Sequence, residues 1–159
     1  MMNVNFIAMG KLKDSWQRDA CAEYQKRLAA YSRVTVKEPE PVPLPAEPSP
    51  AQIAQALERE AGLIRDGIKG GYKIALCVEG KPLSSEELAK LLEKIGNNGA
   101  SSVNFIVGSS FGLAEALKLE CDLRLSMSSM TFPHGLARVM LFEQVYRAFS
   151  IINNSKYHK

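Results

Sequence analysis

Short apolar runs alternate with longer amphipathic segments along the whole chain, and this alternation limits the possible fold more than any other feature. The runs have the length of β-strands and cover residues 4–9, 33–36, 73–79, 102–107 and 123–127. The segments between and after them have helical periodicity and cover 14–31, 49–68, 84–95, a short stretch ending near 121, and 135–153. Strands that alternate with helices favour a parallel sheet with helices on both faces. The sequence therefore predicts an α/β fold with a mostly parallel sheet.

Two helix starts carry capping boxes. Ser49 is followed by Pro50 and Gln52, and Ser84 is followed by Glu87; both patterns satisfy free N–H groups of a first helical turn. The first box closes a proline-rich segment, residues 38–50, that holds six of the eight prolines. Proline cannot donate to a sheet, so this segment is predicted to be a stiff, extended connector, with a proline-recognition motif as the less favoured alternative.

Size and composition suit one domain over residues 1–159. Hydrophobic residues make up 46% of the chain and charged residues 23%, which excludes wholesale disorder. The net charge of +3 permits a polyanionic partner without requiring one. No apolar run approaches the roughly 20 residues of a membrane span, and the N-terminus does not have the pattern of a signal peptide. The three cysteines and two histidines lack metal-ligand spacing. We expect a cytoplasmic enzyme or binding protein without a metal, with the cysteines buried.

Three loops follow the carboxyl ends of the last three strands, where parallel sheets bind ligands. They read EGKPLSS (79–85), GSSFG (108–112) and SSMTFPHG (128–135), and together they predict one pocket. The second, here called the glycine loop, has neither a dinucleotide fingerprint nor a P-loop lysine. It is therefore a tight turn, a nucleotide-phosphate site or a close backbone approach to another ligand. His134, in the third loop, is predicted to bond to loop backbone.

The last helix is apolar on every face, so nearly all its sides must be covered. Its apolar residues are Leu136, Val139, Met140, Phe142, Val145, Tyr146 and Phe149. Arg138 has no acidic residue four positions away and is either a surface cation or a substrate contact, whereas Glu143 and Arg147 have the spacing of an ion pair. The terminal residues 156–159 combine two lysines, Tyr157 and His158. This composition suits RNA, or simply a disordered tail.

The sequence FIVGSSFGL, then LSMSSMTFPHGLARVMLFEQVYRAFSI and a terminal YHK, resembles the bacterial large-subunit ribosomal RNA pseudouridine N3-methyltransferases. These are small, S-adenosylmethionine-dependent enzymes of the SPOUT class. The resemblance covers the whole chain, is strongest from Lys73 onward, and is specific because TFPH, EQVYRA and YHK occur in this order. It implies a single SPOUT methyltransferase domain over 1–159, a C-terminal trefoil knot, and a homodimer in which the twin subunit covers the last helix.

The resemblance also implies a binding site for S-adenosyl-L-methionine made by the loops of the knot. Carried over to this chain, that site comprises Leu76, Gly108, Met127, Ser128, Ser129, Met130, Thr131 and Phe132. The chain departs from the family in the glycine loop, where Gly108 and Ser109 replace two glycines, and Ser110 and Phe111 replace Pro-Glu.

The implied reaction methylates N3 of a pseudouridine in 23S ribosomal RNA within the ribosome. His158 is expected to be the base or an orienting group, Tyr157 to position the nucleobase, and Arg138 and Lys159 to hold phosphates or uracil oxygens. The tail of one protomer would complete the pocket of the other. Two alternatives stay open: a knotted methyltransferase that acts on another RNA such as tRNA, and a non-catalytic ribosome-associated factor.

Overall fold

The computed structural model describes residues 1–159 as five strands and five helices. The strands are β1 (Asn3–Ala8), β2 (Arg33–Lys37), β3 (Tyr72–Pro82), β4 (Ser102–Val107) and β5 (Leu123–Ser126). The helices are α1 (Ser15–Leu28), α2 (Pro50–Gly67), α3 (Ser85–Asn97), α4 (Glu115–Glu120) and α5 (His134–Ile152). Each element lies where the sequence predicts it. Both capping boxes are present, with the Ser49 and Ser84 side chains accepting from the backbone N–H of Gln52 and Glu87.

All strands pair in parallel, in the order β2-β1-β4-β3-β5. This confirms the predicted α/β class with a parallel sheet. Strand β3 runs three residues beyond the predicted end at Glu79, because a bulge between Leu76 and Lys81 lets it resume pairing with β5. The carboxyl ends of β3, β4 and β5 lie at one edge of the sheet. The trefoil knot stays a prediction.

Alternate residues of β1, β3 and β4 contribute to two cores, one on each face of the sheet. On β1, Val4, Phe6 and Ala8 belong to a core built with α1, α3 and α5, whereas Ile7 belongs to a smaller core built with α2 and α4. This alternation is the period of two that strands impose. The helices therefore cover both faces, as predicted.

Helix α5 packs on the sheet between α1 and α3. Its Phe142 ring stacks on Phe6, with 4.0 Å between centroids. Val145 and Phe149 are also buried, but the outward-facing residues Leu136, Val139, Met140 and Tyr146 are only half-buried within one chain. The sheet of the same chain therefore covers one side of α5, as expected. The opposite side of α5 carries a half-buried apolar stripe.

Cys21 is buried, but Cys77 and Cys121 are partly exposed, so the expectation that all three cysteines are buried is wrong for two of them. No helix combines the length and the apolar character that crossing a lipid bilayer requires.

Candidate active site

A cavity of about 500 Å³ opens at the carboxyl edge of the sheet. The ends of β3 and β4, the glycine loop and the segment leading into α5 line it. Glu79 is the only residue of the first predicted loop (79–85) that lines this cavity. The prediction for the rest of that loop is wrong because the chain continues as β3: a Cβ on Gly80 would lie 2.7 Å from the backbone of Arg124 in β5.

The cavity brings together seven of the eight residues predicted to hold a cofactor. They are Leu76, Gly108, Met127, Ser128, Met130, Thr131 and Phe132. Ser129 is not among the lining residues. The segment that carries most of them is fixed by its own serines, because Ser126 Oγ donates to the Ser128 carbonyl and Ser128 Oγ accepts from the N–H of Met130.

The glycine loop is a tight turn closed on itself. Ser109 and Gly112 form an isolated antiparallel bridge, and Gly112 adopts a φ of +85°. A Cβ on Gly108 would lie 2.3 Å from the Gly112 carbonyl oxygen. Gly108 is therefore required by the turn itself. Phe111, half exposed, stands on the rim of the cavity.

An ion pair that sequence analysis missed lies in the cavity wall. Lys118 Nζ donates to Glu79 Oε1 and also contacts Glu115 at 3.0 Å. These hydrogen bonds raise the pKa of Lys118, and the bond from Lys118 lowers the pKa of Glu79. Because carboxylates balance the lysine, the cavity does not repel a cationic ligand. The spacing of Glu115 and Lys118 predicts their pairing, but nothing local in the sequence brings Glu79 to them.

Cys77 and His134 also line the cavity. Burial, helped by the charge of Glu79, raises the pKa of the Cys77 thiol, so it stays neutral at ordinary pH. His134 opens α5. No cluster of three or more His, Cys, Asp or Glu side chains is arranged to hold a metal ion.

Arg138 is 2% exposed, so the surface-cation alternative is wrong. Its Nη1 donates to Glu38 Oε2 at 2.6 Å, and its Nη2 donates to the carbonyl of Gly10 at 2.7 Å. Its Nε is buried without a partner. The guanidinium thus ties the start of α5 to the proline-rich segment and to the loop after β1, and it does not line the cavity.

The tail also lies outside the cavity of its own chain. The Tyr157 hydroxyl donates to Glu143 Oε1 at 3.0 Å, and its ring meets Tyr146 edge-on. Burial and the bond to Glu143 raise the pKa of Tyr157. The last residue of α5 that lines the cavity is Ala137, so at about 1.5 Å per residue the tail's contacts on Glu143 and Arg147 lie roughly 9–15 Å along α5 from the cavity.

The contacts of His158 define its tautomer. Its Nδ1 lies 3.2 Å from Arg147 Nη1, and its Nε2 lies 2.8 Å from Glu86 Oε1. A guanidinium only donates and an ionised carboxylate only accepts. Nδ1 therefore carries the lone pair and Nε2 carries the proton. In this position His158 has no free lone pair with which to accept a proton from a substrate.

Comparison with known proteins agrees with this architecture. The family model described as "Predicted SPOUT methyltransferase" matches residues 2–158. Proteins named ribosomal RNA large subunit methyltransferase H from Listeria monocytogenes and Clostridium botulinum are each 42% identical over 159 residues, covering 99% of this chain and all of theirs.

Solved structures share the fold at low identity. A protein from Bordetella pertussis described as a probable methyltransferase superposes with a TM-score of 0.58 at 15% identity, over 93% of this chain and 95% of its own. A methylase family protein from Haemophilus influenzae gives 0.54 at 13% identity, over 99% of this chain and 70% of its own. These likenesses concern the fold alone.

The raised pKa of Cys77 predicts slow alkylation. In a variant with Cys21→Ala and Cys121→Ala, Cys77 should react with iodoacetamide at pH 8 several-fold more slowly than free cysteine. Its rate should keep rising at a pH where free cysteine has levelled off, because only the thiolate reacts. Mass spectrometry of timed samples from pH 7 to 11 measures this. A rate profile with the midpoint of free cysteine would contradict it.

Proposed function

Because this chain belongs to the SPOUT methyltransferase family, we propose that it methylates N3 of a pseudouridine in 23S ribosomal RNA, in the cytoplasm. The full-length relatives support the coarser statement that it is a ribosomal RNA methyltransferase, and the family match supports S-adenosylmethionine as its methyl donor. The choice of pseudouridine N3 rests on the TFPH, EQVYRA and YHK motifs.

The size and lining of the cavity are the main structural support for this proposal. Its volume of about 500 Å³ lies within the range of roughly 300–1,000 Å³ usual for cofactor sites. Its apolar lining residues include Leu76, Met127, Met130 and Phe132, which suits an adenine ring. Its only lysine is balanced by carboxylates, which suits a sulfonium cation. The residues present therefore fit the cofactor, with Gly108 and residues 127–132 as its holders.

When bound, S-adenosylmethionine supplies an electrophilic methyl group. The protein's own part is to align the target nitrogen with that group and to exclude water. The N3 proton must leave as the new bond forms. Because both nitrogens of His158 are engaged, we assign it the orienting role, with its Nε2–H donated to a uracil oxygen in place of Glu86. The N3 proton then passes to water.

The tail would act on the pocket of a second protomer. Its contacts on Glu143 and Arg147 lie roughly 9–15 Å along α5 from its own cavity, and in this position no tail residue lines the pocket of its own chain. Tyr157 would position the nucleobase, and Lys159 would hold a phosphate. Arg138, fixed behind the cavity, would support the start of α5 without touching RNA.

The outer surface of α1 and α5 supports the homodimer that this arrangement needs. Tyr24, Tyr31 and Tyr157 surround Tyr146, with ring centroids 4.7–6.2 Å away. Arg27 lies over Tyr24 and Tyr146. Tyrosine and arginine are the residues enriched at the centres of protein interfaces. Beside the half-buried apolar stripe of α5, this cluster forms a surface suited to a two-fold contact.

Methyl transfer from labelled cofactor tests the function directly. The protein should label 23S RNA when it is incubated with assembled ribosomes or with large subunits, and mass spectrometry should place the methyl group on N3 of a pseudouridine. Label in tRNA instead would favour the other RNA substrate. Ribosome binding without any transfer would favour the non-catalytic factor.

Substitution of Gly108 should weaken cofactor binding with little change elsewhere. In Gly108→Ala the new methyl group would collide with the Gly112 carbonyl, so the glycine loop must open. We expect the affinity for S-adenosylmethionine, measured by calorimetry, to fall at least about tenfold, or about 1.4 kcal/mol. Gly62→Ala is the matched control, since its Cβ meets nothing within 4 Å. Unchanged affinity in Gly108→Ala would contradict this placement of the cofactor.

Deletion of residues 157–159 should abolish methyl transfer and leave cofactor affinity nearly intact. Co-expression of this truncated chain with Gly108→Ala gives a sharper test. A heterodimer of the two has one complete site if the tail acts on the partner, so about a quarter of the wild-type activity should return with random pairing. If the tail acts on its own chain, no activity returns.

A further inference from the structure

Glu60 is a buried carboxylate that the mechanism above does not use. It lies on the inner face of α2 and is 4% exposed. No lysine, arginine or histidine pairs with it within 4 Å. Burying a carboxylate without bonded partners costs several kcal/mol. Its two hydrogen bonds therefore indicate the structural role of this side chain.

One bond reaches the proline-rich segment. The N–H of Val42 donates to Glu60 Oε2 at 2.9 Å. The same segment is held on its other side, where the Pro39 carbonyl accepts from the N–H of Gly10 and Glu38 pairs with Arg138. Glu60 is thus joined to a stretch of chain whose first residues are fixed independently.

The other bond reaches the candidate cofactor site. The Ser109 hydroxyl donates to Glu60 Oε1 at 2.8 Å. Ser109 lies in the glycine loop and lines the cavity, next to Gly108. It is also the residue that replaces the second glycine usual in the family. In this chain the added hydroxyl is the side-chain link between the loop and α2.

We infer that Glu60 is a positioning residue that holds the glycine loop in its cofactor-binding shape through Ser109. This inference rests on the proposed function. Glu60 does not line the cavity, so it acts only through the loop. Loss of the link should weaken cofactor binding and leave the rate at saturating cofactor nearly unchanged. A merely structural carboxylate would instead lower stability with no effect on cofactor affinity.

Ser109→Ala is the cleanest variant because it cuts the link and keeps the bond to Val42. We expect its Kd and KM for S-adenosylmethionine to rise about five- to tenfold, with kcat within twofold of wild type. Glu60→Gln should keep Kd and KM near the wild-type values, because its amide oxygen can accept from the N–H of Val42 while its NH₂ group donates to the Ser109 oxygen. Glu60→Leu, which can do neither, should show the largest rise in Kd. Glu58→Gln is the control, since Glu58 is exposed on the same helix.

Calorimetry with S-adenosylmethionine and thermal unfolding of each variant separate the outcomes. Normal Kd and KM in Ser109→Ala would overturn the inference and leave the proposed function standing. So would a loss of affinity in Glu60→Gln equal to that in Glu60→Leu, because a loop held by this hydrogen bond tolerates the amide. If the wild-type protein binds no cofactor, the proposed function fails and the inference fails with it.

Discussion

The stacking of Phe142 on Phe6, at 4.0 Å between ring centroids, fixes the helix on which the rest of the site depends. Helix α5 follows the last parallel strand, so it starts at the carboxyl edge of the sheet and runs back along the core. Its first residue, His134, lines the cavity, and its last turns lead into the tail. Packing one helix on the sheet therefore sets the position of both the cofactor pocket and the terminal residues, and keeps them apart.

Two buried charged side chains brace this arrangement, and both hold the proline-rich segment. Arg138 reaches it through Glu38, and Glu60 reaches it through the backbone of Val42. Proline fixes φ, so a proline-rich extended segment is stiff and loses little conformational entropy when the chain folds. A segment that sequence analysis treats as a connector thus links the start of α5 with the glycine loop. The two main walls of the cavity are held through it.

The local features were predictable from the sequence, and the long-range ones were not. Capping boxes at Ser49 and Ser84 involve residues three apart. The apolar runs of β1 and β4 follow from burial on both faces of the sheet. The extension of β3 depends on Gly80 fitting against β5, which no local pattern encodes. The burial of Arg138 depends on Glu38, a hundred residues away. The family resemblance named seven residues that line the cavity, although the elements that carry them are far apart in the sequence, but it gave no indication of Glu79 or Glu60.

The cavity and the tail lie apart in one chain, so the proposed cofactor binding and the proposed contacts to the substrate use separate parts of the structure. The glycine loop and residues 127–132 form a cavity within one chain, so a single subunit has the parts needed to hold a cofactor. The same chain keeps Tyr157 and His158 on Glu143, Arg147 and Glu86, with every lone pair and N–H of the imidazole engaged. If the tail has the proposed role, a nucleobase would displace at least the Glu86 contact to reach the imidazole. Glu86 is exposed, so its carboxylate regains hydration when released, and the exchange costs little. In the proposed arrangement, an RNA that offers no acceptor at that point would leave the tail in its resting contacts, so the tail would contribute to substrate selection.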